Sequence, residues 1–108
     1  MVINEEIIKI KDSILAAVNV EKLYLFGSYA NGAADEDSDY DLYIVIPDNG
    51  IRPIEAMRQA RSAMWEVDVD KPIDLLAGTS EIFNRRAKGV TLERKIAREG
   101  VLLYERGE

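Results

Sequence analysis

Leu23-Tyr24-Leu25-Phe26-Gly27-Ser28 and, a short spacer later, Ser38-Asp39-Tyr40-Asp41-Leu42-Tyr43-Ile44-Val45-Ile46 decide how this chain folds. The first run reads as a buried strand that ends at a glycine and a serine. The second reads as a strand that begins with two aspartates. Side chains two apart on a strand point the same way, so Asp39 and Asp41 share a face and Tyr40 points away. At an effective dielectric near 20, two such charges about 5 Å apart repel by roughly 3 kcal/mol. A fold gains nothing from that unless a cation sits between them. All-oxygen ligands favour Mg²⁺, Mn²⁺ or Ca²⁺ over zinc or copper. Gly27 permits a tight exit from the first strand. Ser28 is expected to cap a short helix whose free N–H groups suit an anion such as phosphate.

Other readings of this stretch fail on particular residues. A P-loop needs a lysine after its second glycine, and Gly32 is followed by Ala33 and Ala34. An EF-hand fits the alternation of Asp35, Asp37, Asp39 and Asp41. However, it would place Tyr40 where a glycine is required and Ile46 where a bidentate glutamate is required. A solvated acidic turn accounts for Asp35, Glu36 and Asp37. It accounts poorly for Asp39 and Asp41, which adjoin the apolar run.

Gly27-Ser28, the spacer and Ser38-Asp39-Tyr40-Asp41-Leu42 together resemble the nucleotidyltransferase signature of the DNA polymerase beta superfamily. The resemblance is nearest to its smallest members, the minimal nucleotidyltransferase (MNT) domains that pair with HEPN proteins in prokaryotic toxin–antitoxin systems. Pro72-Ile73-Asp74-Leu75-Leu76 and the tail from Leu92 to Tyr104 resemble that family too, so the likeness spans nearly the whole chain. One position departs from it: Asn31 stands where such domains often carry a basic residue.

Composition sets the outer bounds. A chain of 108 residues suits a single domain, 1–108, with about two-thirds of its unfolded surface buried. Hydrophobic residues at 47% and charged residues at 31% are ordinary for a globular protein. With no cysteine and no histidine, disulfides, thiolate metal sites and the usual general base are excluded. The start of the chain has no secretory apolar core and no run approaches a membrane span, so the expectation is a cytoplasmic protein that binds no membrane. A net charge of −6 argues against a phosphate-tracking, nucleic-acid-binding surface and favours a basic protein partner.

Outward from the signature, Ile3, Ile7, Ile10, Ile14 and Val18 recur at helical spacing. Pro47-Asp48-Asn49-Gly50 is a turn, and Pro53 suits the first turn of a helix with Ile54, Met57, Ala60, Met64 and Val67 inward. Arg58 and Arg61 read as surface residues, and Trp65 as core or interface. Ile73 to Ala77 reads as a third strand. Its Asp74 lies among Ile73, Leu75 and Leu76, a pattern expected of a strand buried on both faces, where a carboxylate must be paired or bind metal. Gly78-Thr79-Ser80 caps a helix over 81–88 with Ile82 and Phe83 inward. Thr91 begins a last helix with Leu92 and Ile96 inward, Gly100 is expected to end it in a left-handed conformation, and Val101 to Tyr104 form a final strand.

The expected fold is therefore α/β (α+β), with a small mixed sheet. The resemblance implies helices mainly on one face and an active site on the open side, where Asp39, Asp41 and Asp74 meet. It implies Mg²⁺-dependent transfer of a nucleotidyl group, AMP from ATP, to a hydroxyl acceptor. Asp39, Asp41 and Asp74 would be the catalytic and metal-binding residues, two Mg²⁺ ions (or Mn²⁺) the cofactors, and Gly27 and Ser28 the nucleotide-binding residues. The acceptor it implies is a protein, a HEPN toxin that the chain would neutralise as an antitoxin. Two alternatives stay open: a non-catalytic module that neutralises a HEPN partner by covering it, and transfer to a small molecule such as an aminoglycoside.

Overall fold

Ile7, Ile10 and Ile14 are buried on one stripe of helix α1, Glu5–Ala17, in the computed structural model, which describes residues 3–107. Met1, Val2 and Glu108 of the expected 1–108 domain lie outside the described residues. Asn4 caps α1, its side chain accepting from the Ile7 amide at 2.8 Å, and Glu5 and Glu6 suit the positive end of the helix. Ile3 precedes this cap and is exposed, so it does not join the stripe.

The chain continues as β1 (Lys22–Phe26), α2 (Ser28–Asn31), β2 (Tyr40–Ile46), α3 (Pro53–Ala63), a 3-10 turn (Met64–Glu66), β3 (Ile73–Thr79), α4 (Ser80–Arg86), α5 (Leu92–Glu99) and β4 (Val101–Glu105). The strands lie in the order β3-β2-β1-β4. β1 is antiparallel to β2 and β4, while β2 and β3 are parallel. That parallel pair needs a crossover, and α3 supplies it. Pro53 opens α3 as expected, but its buried residues are Ala56 and Ala60, small enough to bring the helix close to the sheet. Ile54 lies just over half a turn from Ala56 and is 50% exposed, contrary to its expected place in the core.

β2 explains why an uninterrupted apolar run was needed. Tyr40, Leu42, Ile44 and Ile46 face the larger core with Leu23, Leu25 and the α1 isoleucines. Tyr43 and Val45 face the smaller core on the other side, with Tyr24, Phe83 of α4 and Ile96 of α5. The Phe83 ring packs 5.3 Å from Tyr24 and 5.1 Å from Tyr43. The two longer helices and the larger core thus occupy one face. Two short helices cover part of the other.

β3 differs from its expected burial. It is an edge strand on which Leu75 is buried but Asp74 and Leu76 are exposed. The apolar run there reflects one covered face, not two. Gly100 also differs, because its φ of −71° is extended, not left-handed. Glycine suits the position for another reason: a Cβ would press on the Ile96 carbonyl, and the Leu25 carbonyl lies close as well. Trp65 is 88% exposed and belongs to neither core.

Candidate active site

Strand register builds the site. Asp41 stands opposite Phe26 in the antiparallel β1–β2 pair and opposite Asp74 in the parallel β2–β3 pair. Phe26, Asp41 and Asp74 therefore form one row across three strands, and Asp39 lies just before β2, where its charge is felt at Asp41. The row lies on the face of the smaller core, at its uncovered end. Asp39 and Asp41 are half-buried and Asp74 is exposed.

Tyr40 holds the aspartates in place from behind. Its ring is fully buried in the larger core and packs 4.5 Å from the Tyr29 ring. Its hydroxyl donates to Glu6 Oε1 at 2.6 Å and accepts from Asn4 Nδ2 at 3.1 Å. Burial and the Glu6 bond push the Tyr40 phenol well above its usual range. The preceding loop is self-contained. Ser38 Oγ accepts from the Asp35 amide at 2.9 Å and donates to Asp35 Oδ1, which also takes the Asp37 amide. Lys71 ties the loop down through the Glu36 carbonyl. Asp35, Glu36 and Asp37 are thus an exposed, self-bonded turn, as the sequence suggests.

Asp41 carries the electrostatic signature of the site. Burial, a hydrogen bond shared with Asp74, and the charges of Asp74 and Asp39 raise its carboxyl to about 6. As the side chains stand, no three carboxylates among the described residues are grouped to hold a metal ion. The donor set nonetheless fits one. Asp41 and Asp74 are in direct register, their ligands are hard oxygens, and the raised Asp41 carboxyl marks, besides burial, a charge repulsion that a divalent cation would relieve.

Gly27 and Ser28 sit beside this row. Gly27 has φ 75° and ψ −152°, a region essentially closed to other residues. A Cβ there would collide with Asp41 Oδ2, so glycine is needed for space as well as conformation. The expectation that Ser28 caps the helix is corrected. Gly27 occupies the cap position, no side chain makes a capping bond, and Ser28 is the first helical residue. The Ala30 and Asn31 amides bond back to the Gly27 carbonyl, which leaves those of Ser28 and Tyr29 ahead of the first helical bond. Asn31 Oδ1 accepts from the Ala33 amide and closes the loop locally.

Two features escaped the sequence reading. One is a cleft of about 220 Å³ between α2 and α5 that opens at Gly27 and takes in Lys95 and Ile96. The pattern Leu92-x-x-Lys95-Ile96 marked a helix face but not what it faced. Leu92 there is 42% exposed, against the expectation that it faces inward. The other is a buried network: Glu93, 8% exposed, accepts from the Tyr43 hydroxyl at 3.1 Å and from Arg86 Nε at 3.0 Å. It fixes α5 against β2 and α4, and hence one wall of the cleft. A glutamate in the first turn of a helix reads as surface, and nothing nearby in sequence marked it otherwise.

Comparison with known proteins bears on the fold and the family. No curated protein sequence matches the chain significantly. Among solved structures it is similar to a toxin–antitoxin crystallised with AMP-PNP, with TM-score 0.62 and 21% identity over 95% of this chain and 75% of that one. It is also similar to a candidate nucleotidyltransferase from Sulfolobus solfataricus, with TM-score 0.62 and 19% identity over 91% and 76% of the two chains. A third is the toxin–antitoxin MntA-HpeT mutant Y104A, with TM-score 0.57 and 19% identity over 97% and 75%. At these identities the likeness is one of fold. The family model for "Polymerase beta, Nucleotidyltransferase" matches residues 8–108, nearly the whole chain. The chain therefore belongs to the polymerase beta nucleotidyltransferase family.

Proposed function

We propose that this protein transfers a nucleotidyl group, AMP from ATP, to a hydroxyl on a separate protein, and that the acceptor is a HEPN-type toxin which it neutralises. The observation that carries the reading is the row of Asp41 and Asp74 on an uncovered sheet face, next to the Gly27 turn. Support for the setting comes from the toxin–antitoxin structures of similar fold, one of them with AMP-PNP. The net charge of −6 favours a basic partner. A cytoplasmic setting belongs to the same proposal.

Asp39, Asp41 and Asp74 would hold two Mg²⁺ ions, with Mn²⁺ as a substitute. When bound, the ions neutralise the triphosphate and acidify the acceptor hydroxyl. The chain's own residues do the rest. Ser28 and the amides of Ser28 and Tyr29 bind phosphate oxygens. Asp74, exposed on the edge strand, takes the proton of the acceptor hydroxyl. The acceptor oxygen then bonds to the α-phosphorus, and the bond from that phosphorus to the departing pyrophosphate breaks. Tyr40 keeps both aspartates aimed at the site through its buried anchor.

Intact-mass spectrometry tests this. A HEPN partner incubated with the protein, ATP and Mg²⁺ should gain mass in steps of one adenylyl group. One observation favours a second reading, a non-catalytic binding module: no three carboxylates among the described residues are grouped to hold metal. An Asp41→Asn protein that still neutralises its partner, together with no mass gain under any nucleotide, would establish that alternative.

A further inference from the structure

Resting on the protein-acceptor reading above, we propose that Trp65 and the acidic segments beside it are the docking surface for the acceptor, a protein whose matching face is basic around an apolar pocket. Trp65 is the chain's one tryptophan, and it is 88% exposed. A large aromatic left in water forfeits the burial it could contribute to folding. Among the described residues its indole makes no hydrogen bond and joins neither core, whereas Met64 beside it packs on the larger one. Tryptophan is enriched among the residues that carry the binding energy of interfaces. Arg61, one turn earlier, lines an open depression of about 260 Å³ with Met64 and Trp65.

Arg61 ties that depression to the active site. Its Nη1 donates to the Ile73 carbonyl at 2.7 Å. The preceding carbonyl, that of Pro72, accepts from the Tyr40 amide and so points at β2. Successive carbonyls of an extended chain point opposite ways, so that of Ile73 points off the free edge of β3. The next residue is Asp74, the carboxylate proposed above to take the acceptor's proton. A protein seated on Trp65 therefore lies at the β3 edge and reaches around it to bring a hydroxyl to Asp74.

Charge says what that protein is like. Residues 35–39 hold four carboxylates and no base, and residues 61–74 hold four carboxylates against Arg61 and Lys71. Lys71 joins the two segments through the Glu36 carbonyl. Together they carry a net −6, which is the net charge of the whole chain, so the rest of the molecule is neutral. Glu66, Asp68 and Asp70, next to Trp65 in the chain, are exposed and form no ion pair among the described residues. A second copy of this surface or a nucleic acid would be repelled, and a basic protein is attracted.

The lone tryptophan supplies the readout, and the HEPN-type protein of the mass assay is the probe. With fluorine-labelled tryptophan, one NMR resonance reports on Trp65. Adding the probe should shift that resonance and shield it from a dissolved relaxation agent. Trp65→Ala should weaken the complex about thirtyfold, the scale of an interface hot spot, while its melting temperature and Mg²⁺-ATP affinity stay those of wild type. Asp68→Asn, Asp70→Asn should slow association and flatten its dependence on salt. The inference is overturned if the complex forms with the resonance unmoved, if Trp65→Ala binds as tightly as wild type, or if the charge variant keeps the wild-type salt dependence. It is overturned equally if the chain alone doubles in mass in sedimentation and covers Trp65. Each of these results leaves nucleotidyl transfer to a protein standing. If no complex forms and the probe gains no mass, the protein-acceptor reading falls, and this one with it.

Discussion

Asp41 and Asp74 face each other at one rung of the parallel β2–β3 pair, and their mutual repulsion is built into the fold. Relieving it should be measurable as stability. Millimolar Mg²⁺ or Mn²⁺ should raise the melting temperature of the wild type, because a ligand that binds only the folded state stabilises it. For a domain of about this size each kcal/mol is worth about 4–8 °C. In the Asp39→Asn, Asp41→Asn double variant the metal-free protein should melt higher than wild type and respond little to metal. Equal metal-induced shifts in the two proteins would remove these aspartates from the site.

Gly27 is required twice over, by its backbone conformation and by the Asp41 oxygen beside it. Gly27→Ala should therefore destabilise the fold by about 1–3 kcal/mol from backbone strain alone. It should also displace Asp41, so the variant loses the metal response. A denaturation midpoint within error of wild type would contradict both arguments.

Ser28 should matter for ligand and not for fold. It makes no capping bond, so Ser28→Ala should leave the melting temperature of the free protein nearly unchanged. If its hydroxyl meets a phosphate, nucleotide affinity should fall by about 1.5–3 kcal/mol, the range for a bond to a charged acceptor. Unchanged ATP affinity by calorimetry would take Ser28 out of the site.

The glycine between strand and turn made the Gly27 turn legible from the sequence, and the apolar run after the aspartates did the same for β2. Asp74 was legible as a site candidate for a reason that did not hold. Its apolar neighbours suggested a doubly buried strand, whereas it is an exposed edge residue brought to Asp41 by register. Register across a parallel crossover is set by how α3 packs, and no local pattern records it. Leu92 and Ile54 were misplaced for a similar reason: the period fixes which residues share a helix face, but not how that face is rotated against the sheet. Glu93 was invisible because its partners, Tyr43 and Arg86, lie 50 and 7 residues away.

Glu93 predicts an acid limb in the stability curve. Burial alone would raise its carboxyl, but the bonds from Arg86 and Tyr43 outweigh that and leave it below its ordinary value. The folded state thus favours the ionised form more than the unfolded state does. That stability is present above the ordinary glutamate value of about 4.3 and is lost as pH falls below it. Denaturant titrations at pH 7 and pH 4 should show a smaller loss in Glu93→Gln than in wild type. At pH 7 the variant should be less stable by about 1.5–3 kcal/mol. Parallel acid limbs in the two proteins would mean that Glu93 does not carry this dependence.

Asp74 separates chemistry from packing. Its side chain is exposed, so Asp74→Ala loses no packing, and by removing the charge beside Asp41 it should leave the metal-free protein at least as stable as wild type. Its influence on Asp41 is direct, through a shared hydrogen bond and a like charge, and both raise the Asp41 carboxyl. Carboxyl-resolved NMR titration should therefore find Asp41 near 6 in wild type and clearly lower in Asp74→Ala, where only burial and Asp39 remain to raise it. If Asp74 also takes the acceptor's proton, nucleotidyl transfer to a protein partner should fall about 10²–10⁴-fold, the usual worth of a positioned base. The complex with that partner should form as before. The two readouts answer different questions. A lowered Asp41 titration with transfer intact would keep the carboxylate pair and dismiss Asp74 as the base. An unmoved titration would mean that the two side chains, though paired in register, do not share a proton in solution.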